Sequence, residues 1–276
     1  SQMPLTWSRR DFLSTIGGLA LGDWSLAASP HHPLGIQLYT VRDRLARDFE
    51  GTLAQLARIG YQEVEFAGLY GHPARDVRAM LDRLGLKAPG GHYGLPQIQD
   101  TLDPSIAEAK ALGLEYVIVP WLPEEFRSRD GFTRIAELFN QAGEKLRAAG
   151  LRLGYHNQDF EFAELNGGGI GYDVLLEQTD PRLVWLELDL FWMRKGGGDP
   201  LDYFMRFPNR YRLVHIKDMA VDGTMADIGK GAMNWTELLG AARKAGVRHF
   251  LAEHDGASDS LAFAKMSFAY LSKLQF

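Results

Sequence analysis

Six side chains able to hold a metal or move a proton fall at the ends of short apolar runs: Glu65, His92, His156, Asp189, His215 and Glu253. The last four close consecutive runs, and their neighbours alternate with a period of two. Trp185, Glu187 and Asp189 alternate with Val184, Leu186, Leu188 and Leu190; Leu213, His215 and Lys217 alternate with Val214 and Ile216; Leu251 and Glu253 alternate with Phe250 and Ala252. In a strand that period places the polar set on one face. Unpaired charge inside an apolar core is expensive, so a shared divalent cation is the economical account. Each residue alone says little, since a strand-end His is ordinarily a hydrogen-bonded packing residue and Asp189 reads equally well as a loop cap. His156, Asp189, His215 and Glu253 together make the metal-ligand set. The chain has no cysteine, so thiolate sites and disulfides are excluded. Two imidazoles and two carboxylates suit Mn²⁺, Co²⁺, Zn²⁺ or Fe²⁺, and suit Mg²⁺ less.

The elements that must position these groups alternate along the chain. Strands are expected at Gly35–Tyr39, Glu63–Phe66, Lys87–His92, Tyr116–Pro120, Leu151–His156, Val184–Leu190, Arg212–Ile216 and Phe250–Glu253. Amphipathic stretches at Asp43–Ile59, Ala74–Leu84, Pro104–Leu112, Gly131–Ala149 and Trp235–Ala245 read as helices. Gly60, Gly85, Gly113, Gly150 and Gly246 each follow a helical stretch and precede a strand, where a left-handed C-terminal cap costs glycine little. Asp199-Pro200 and Asp103-Pro104 read as N-caps with proline opening the helix. Strand then helix, repeated about eight times, predicts a parallel sheet with right-handed crossovers. The class is α/β, and a closed (β/α)₈ TIM barrel fits best as a single domain over residues 31–276. A doubly wound open sheet is the runner-up, but no Gly-rich phosphate turn follows the first strand. In a barrel the chemistry sits at the C-terminal strand ends, where the six residues fall.

These segments resemble the xylose-isomerase-like barrel superfamily, and within it the sugar phosphate isomerase/epimerase-like proteins. The resemblance rests on Gly35-Ile-Gln-Leu-Tyr39, Glu63-Val-Glu-Phe66, Gly154-Tyr-His-Asn-Gln-Asp-Phe-Glu-Phe162, Leu188-Asp-Leu-Phe-Trp192, Val214-His-Ile-Lys-Asp218 and Ala252-Glu-His-Asp255. It implies a divalent metal, most often Mn²⁺, on His156, Asp189, His215 and Glu253. The ketose epimerases of the superfamily place a second Glu where His156 stands here, so proton shuttling between two opposed carboxylates is not expected.

With such a site, proton abstraction beside a carbonyl gives an enediolate. Glu253 is the candidate base, and Lys217 and His156 are further catalytic candidates. Lys217 either holds a substrate oxygen or pairs with a neighbouring carboxylate. Glu65 and His92 are expected to contact hydroxyls, and Tyr39 and Trp192 to wall a sugar ring. His254 and Asp255 are expected to point elsewhere. Isomerisation, epimerisation and elimination all branch from one enediolate. The expected function is a metal-dependent sugar isomerase or epimerase. A lyase or dehydratase on a 3-keto-glycoside or keto-inositol is the alternative, because relatives sharing the His-Asn-x-Asp-Phe segment act on keto-sugars and keto-inositols. A non-catalytic sugar-binding barrel and an endonuclease IV-like nuclease are the remaining readings, the nuclease last. Its chemistry calls for more ligands than this single set and for a basic face, whereas the net charge is −5 with no basic cluster.

Ser8-Arg9-Arg10-Asp11-Phe12-Leu13, a modest apolar run to Leu26 and small residues at Ala27–Ser29 resemble a twin-arginine export signal over residues 1–30. The competing reading is a short surface helix. Asp23 interrupts a run already shorter than the about 20 residues a membrane span needs. The protein is therefore expected in the periplasm, with a small sugar or sugar derivative as partner, no nucleic acid and no membrane span in the mature form. A homodimer is left open.

Overall fold

The computed structural model describes residues 32–276; the twin-arginine-type segment lies outside the described residues. Eight parallel strands form the sheet: β1 (Leu34–Gln37), β2 (Glu63–Glu65), β3 (Gly90–His92), β4 (Tyr116–Val119), β5 (Arg152–His156), β6 (Val184–Asp189), β7 (Tyr211–Ile216) and β8 (His249–Ala252). Their order is β2-β1-β8-β7-β6-β5-β4-β3, and parallel bridges Glu63–Lys87 and Phe66–Gly91 join β2 to β3. The strands thus close into the predicted (β/α)₈ barrel.

The period-two alternation sorts side chains between two cores. Ile36, Val64, Val117, Val184, Leu186, Leu188, Val214, Ile216 and Phe250 pack outward into the sheet–helix layer. Tyr116, Ile118, Leu213 and Leu251, with Trp185 against them, plug the barrel's interior. Small residues make room for that plug. A Cβ at Gly154 would lie 2.9 Å from Ile118 Cγ1, and one at Gly35 only 2.5 Å from Leu251 Cδ2. Above the plug, towards the C-terminal strand ends, the inward positions turn polar.

Helices cover the outside. Phe49–Ile59 buries Phe49, Leu53 and Leu56, a spacing that keeps one stripe on the sheet. Gly60, Gly85, Gly113, Gly150 and Gly246 all have positive φ, as their C-cap reading requires. Asp199 accepts from Leu201 N with Pro200 opening the next helix. Several boundaries differ from expectation: β1 ends at Gln37, so that Tyr39 lies in the 3-10 turn Leu38–Val41, and β3 begins at Gly90 instead of Lys87. Asp43–Ile59 is two helices, Arg42–Leu45 and Phe49–Ile59, because the Asp48 carboxylate caps Gly51 N and starts the second afresh. The helix expected to open at Pro104 starts at Leu102 after Thr101; proline is accommodated inside the first turn, where amides have no helical partner. Leu190 begins a short helix, Leu190–Lys195, instead of ending β6. Among the described residues no helix is long and apolar enough to cross a membrane.

Candidate metal and acid–base site

Register brings the strand-end residues level. Asp189 pairs with His215 across β6 and β7, and His156 with Glu187 across β5 and β6. Glu253 directly follows β8, its amide donating to Ile216 O at 3.1 Å. His156, Asp189, His215 and Glu253 are all buried, and one donor atom from each lies within 4.8 Å of the others.

Hydrogen bonds fix what each atom presents. His156 Nδ1 is 3.1 Å from Pro120 O, a carbonyl that only accepts, so Nδ1 carries the proton. Its Nε2 faces Asp189 Oδ2 at 3.1 Å. His215 Nε2 donates to Glu65 Oε1 at 2.8 Å, which turns Nδ1 towards Glu253 Oε2, 2.7 Å away. Although that close, these two atoms are not aligned for a hydrogen bond; His215 Nδ1 has no hydrogen-bond partner elsewhere, and Glu253 Oε2 meets the Lys217 ammonium at 2.9 Å. With neutral imidazoles, four lone-pair atoms therefore converge on one point: His156 Nε2, Asp189 Oδ2, His215 Nδ1 and Glu253 Oε2. The Lys217 ammonium meets only the two carboxylates, so with the imidazole lone pairs turned inward the convergence calls for a further cation or extra protons. The donor set fits a divalent metal of the Mn²⁺–Zn²⁺ kind.

The surrounding field has the same sign. Burial raises the Asp189 pKa, yet Lys217 and His156 hold it well below the usual carboxylate range. Glu253 is also pushed up by burial, but Lys217 and His215 bring it down to about 2. His215 is pulled down by burial and pushed well above 6.5 by Glu187, Glu253 and Glu65. Carboxylates that force a proton onto a buried imidazole would equally favour a metal ion beside it.

Lys217 Nζ lies 3.0 Å from Asp189 Oδ2, 2.9 Å from Glu253 Oε2 and 2.9 Å from Asp255 Oδ1. Of the two readings for Lys217, this geometry takes the ion pair. Asp255, expected to point away, instead turns in to complete that set because the chain bends after β8. His254 does point elsewhere, edge-on to Phe263.

A second polar group lies beneath. Glu65 and Glu187 each place Oε1 between His92 Nε2 (3.1 and 2.8 Å) and His215 Nε2 (2.8 and 3.0 Å). Gln37 Nε2 donates to Glu65 Oε1 at 2.6 Å. These residues form a second metal-capable cluster that shares His215, which the single-set expectation did not include. Its nitrogens and Oε1 atoms already face one another at 2.8–3.1 Å. Glu65 has no exposed surface and lies under the floor, so the expected hydroxyl contact is not available to it here. His92 does reach the cleft, and although burial lowers its pKa, Glu65 and Glu187 push it up to about 9.

The cleft above measures ≈ 450 Å³ and is bordered by Tyr39, His92, His156, Lys217, Glu253 and, unanticipated, Trp121. Trp192 is not on its wall. It stands in the helix after β6, its amide donating to Asp189 Oδ1 at 2.9 Å and its ring 5.7 Å from Lys217 Nζ. Asp189 is thus cap and candidate ligand at once, one oxygen to each task. Asn157 clasps the same residue, accepting from Asp189 N at 2.9 Å and donating to Asp189 O at 3.3 Å. Glu161 receives Gln158 N at 3.0 Å and the Tyr155 hydroxyl, and so folds the loop after β5.

The profile of the xylose isomerase-like TIM barrel family matches residues 53–266. The chain belongs to that family. A family structure described as a sugar phosphate isomerase/epimerase, from Parabacteroides distasonis, is 27% identical, covers 89% of this chain and 95% of its own, and superposes with a TM-score of 0.79. Inosose dehydratase of Geobacillus kaustophilus is 25% identical over 193 residues, which span 62% of this chain and 62% of that enzyme. An L-ribulose 3-epimerase covers 86% of this chain and 92% of its own with a TM-score of 0.64, and at 19% identity it shares the fold alone.

Proposed function

We propose that this chain is a metal-dependent sugar isomerase or epimerase that removes a proton beside a carbonyl and passes through an enediolate. The observation that carries the reading is the convergence of four buried lone-pair atoms at the floor of an open cleft. His156, Asp189, His215 and Glu253 would hold the ion, with Mn²⁺ the expected metal and Co²⁺, Zn²⁺ or Fe²⁺ the alternatives. A divalent cation supplies Lewis-acid stabilisation of enediolate charge, which a base as weak as ionised Glu253 needs.

The chain's own residues supply the rest. Glu253 accepts the carbon-bound proton, kept ionised by Lys217 and His215. His92, cationic at neutral pH and 13% exposed, faces the cleft as a proton donor to a substrate oxygen. Lys217 holds Asp189 and Glu253 in place through its three carboxylate contacts. His156 stands where a second carboxylate base would be needed for a symmetric two-carboxylate epimerisation, its Nδ1 fixed by Pro120 O.

A dehydratase is the second reading. It is favoured by the match to inosose dehydratase and by the pairing of one basic carboxylate with a cationic donor, which suits expulsion of a hydroxyl. We also assign the chain to export by the twin-arginine route, on the strength of Arg9-Arg10 and the apolar run that follows. Fractionation of cells expressing the full chain, with and without Arg9→Lys/Arg10→Lys, tests that assignment. The reaction is tested by incubating the Mn²⁺-loaded protein with ketoses, aldoses and inososes in D₂O. Deuterium at carbon with all oxygens kept marks isomerisation or epimerisation, and loss of water marks dehydration. Sugar binding without exchange in any substrate would reduce the protein to a binding barrel and overturn the proposal.

A further inference from the structure

We propose that the cleft accepts an uncharged two-ring glycoside, whose second ring stacks on Trp121 and Tyr39 while the reacting sugar lies over the His156–Glu253 floor. This rests on reading that floor as a sugar site. Trp121 is 48% exposed and Tyr39 43% exposed, and of the exposed large apolar side chains among the described residues only these two border the cleft.

Both rings are braced. The Arg127 guanidinium sits 5.1 Å from the Trp121 ring centroid and 3.8 Å from that of Phe160, and is tied to Leu122 O by Nε at 3.1 Å and Nη2 at 3.0 Å. Arg42 lies 3.9 Å from the Tyr39 centroid and donates to Tyr39 O and Asp255 O, each at 2.8 Å. Aromatic faces held in one pose lose little entropy when a ring stacks on them. The two follow β1 and β4, which flank β2 and β3 in the closed sheet, whereas the floor is built from β5 to β8. Tyr39 and Trp121 therefore stand on either side of β2 and β3, at the rim of the cleft whose far wall carries His156 and Glu253.

Charge selects against phosphate. Among the described residues no arginine lines the cleft. Lys217 is committed to Asp189, Glu253 and Asp255, and His92 Nε2 to Glu65 and Glu187, so that one imidazole edge is the cationic surface left to a ligand oxygen. A phosphate entering here would meet the Glu253 and Asp255 carboxylates without a free guanidinium or ammonium to hold it. The second ring is recognised by its flat apolar face, which a pyranose and an aryl aglycone both offer.

Calorimetry on Mn²⁺-loaded wild type, Trp121→Ala and Trp121→Phe tests this, with methyl glucoside and galactoside, cellobiose, lactose, the 4-nitrophenyl glycosides and glucose 6-phosphate as probes. At least one two-ring class should bind wild type about tenfold tighter than its methyl glycoside. That advantage should shrink below about twofold in Trp121→Ala and return in Trp121→Phe. Disaccharide against aryl glycoside identifies the source of the ring. Equal weakening of methyl and two-ring ligands in Trp121→Ala, or tighter binding of glucose 6-phosphate than of methyl glucoside, would overturn the proposal. Methyl glycosides that bind without any two-ring advantage overturn the rim and leave the sugar floor standing, whereas no binding by any sugar overturns both.

Discussion

His215 is gripped from two sides, with Nε2 on Glu65 at 2.8 Å and Nδ1 near Glu253 at 2.7 Å. Glu65 touches no cleft, so it acts only through the imidazoles it contacts, His215 and His92. Glu65→Gln should lower metal affinity about 10- to 100-fold and lower kcat, leaving KM at saturating metal nearly unchanged; metal titration and steady-state kinetics read the two effects separately. Glu253→Gln should cut kcat by about 10²-fold or more while retaining most of the metal, as elemental analysis of the purified variant would show. Equal loss of both would make Glu253 a ligand without a catalytic role. The His–Asp–His–Glu set was legible in the sequence because each member ends an apolar run with the same parity. Glu187 showed that parity too, but its partners depend on β6–β7 register, which no local pattern encodes. Asp255 and Asn157 were illegible for a similar reason: their roles depend on loop paths. Trp121 follows a strand end, a positional signal that Tyr39 shares.

At the scale of elements, the barrel's interior leaves little slack. A methyl at Gly154 would meet Ile118 Cγ1 at 2.9 Å, so Gly154→Ala should cost about 1–3 kcal/mol in chemical denaturation and disturb His156 two residues on. Wild-type stability in that variant would show that Ile118 yields without cost. Glycine caps and period-two strands were readable because each rule is local. The two-helix split at Asp48 was not, since a side chain capping its own next turn competes with a continuous amphipathic pattern. Ser260–Leu271 escaped the helical periodicity because apolar residues lie on all its sides.

Across the whole molecule, buried charge ties stability to pH and to cation supply. Burial lifts Glu161 from 4.5 to about 7, against the Tyr155 and Gln158 hydrogen bonds that lower it. A carboxyl whose folded pKa is raised contributes stability below the unfolded value and loses it as pH rises through the folded one. Wild type should therefore lose up to about 3 kcal/mol relative to Glu161→Gln between pH 4.5 and 7, as paired denaturation curves would show; a flat difference would mean that Glu161 ionises at its ordinary value. The most direct test of the account is calorimetric titration of chelator-stripped protein with Mn²⁺, for wild type, Asp189→Ala and His215→Ala. The account predicts saturable binding that is lost in both variants, with circular dichroism spectra matching wild type. Undiminished binding in either variant would contradict it.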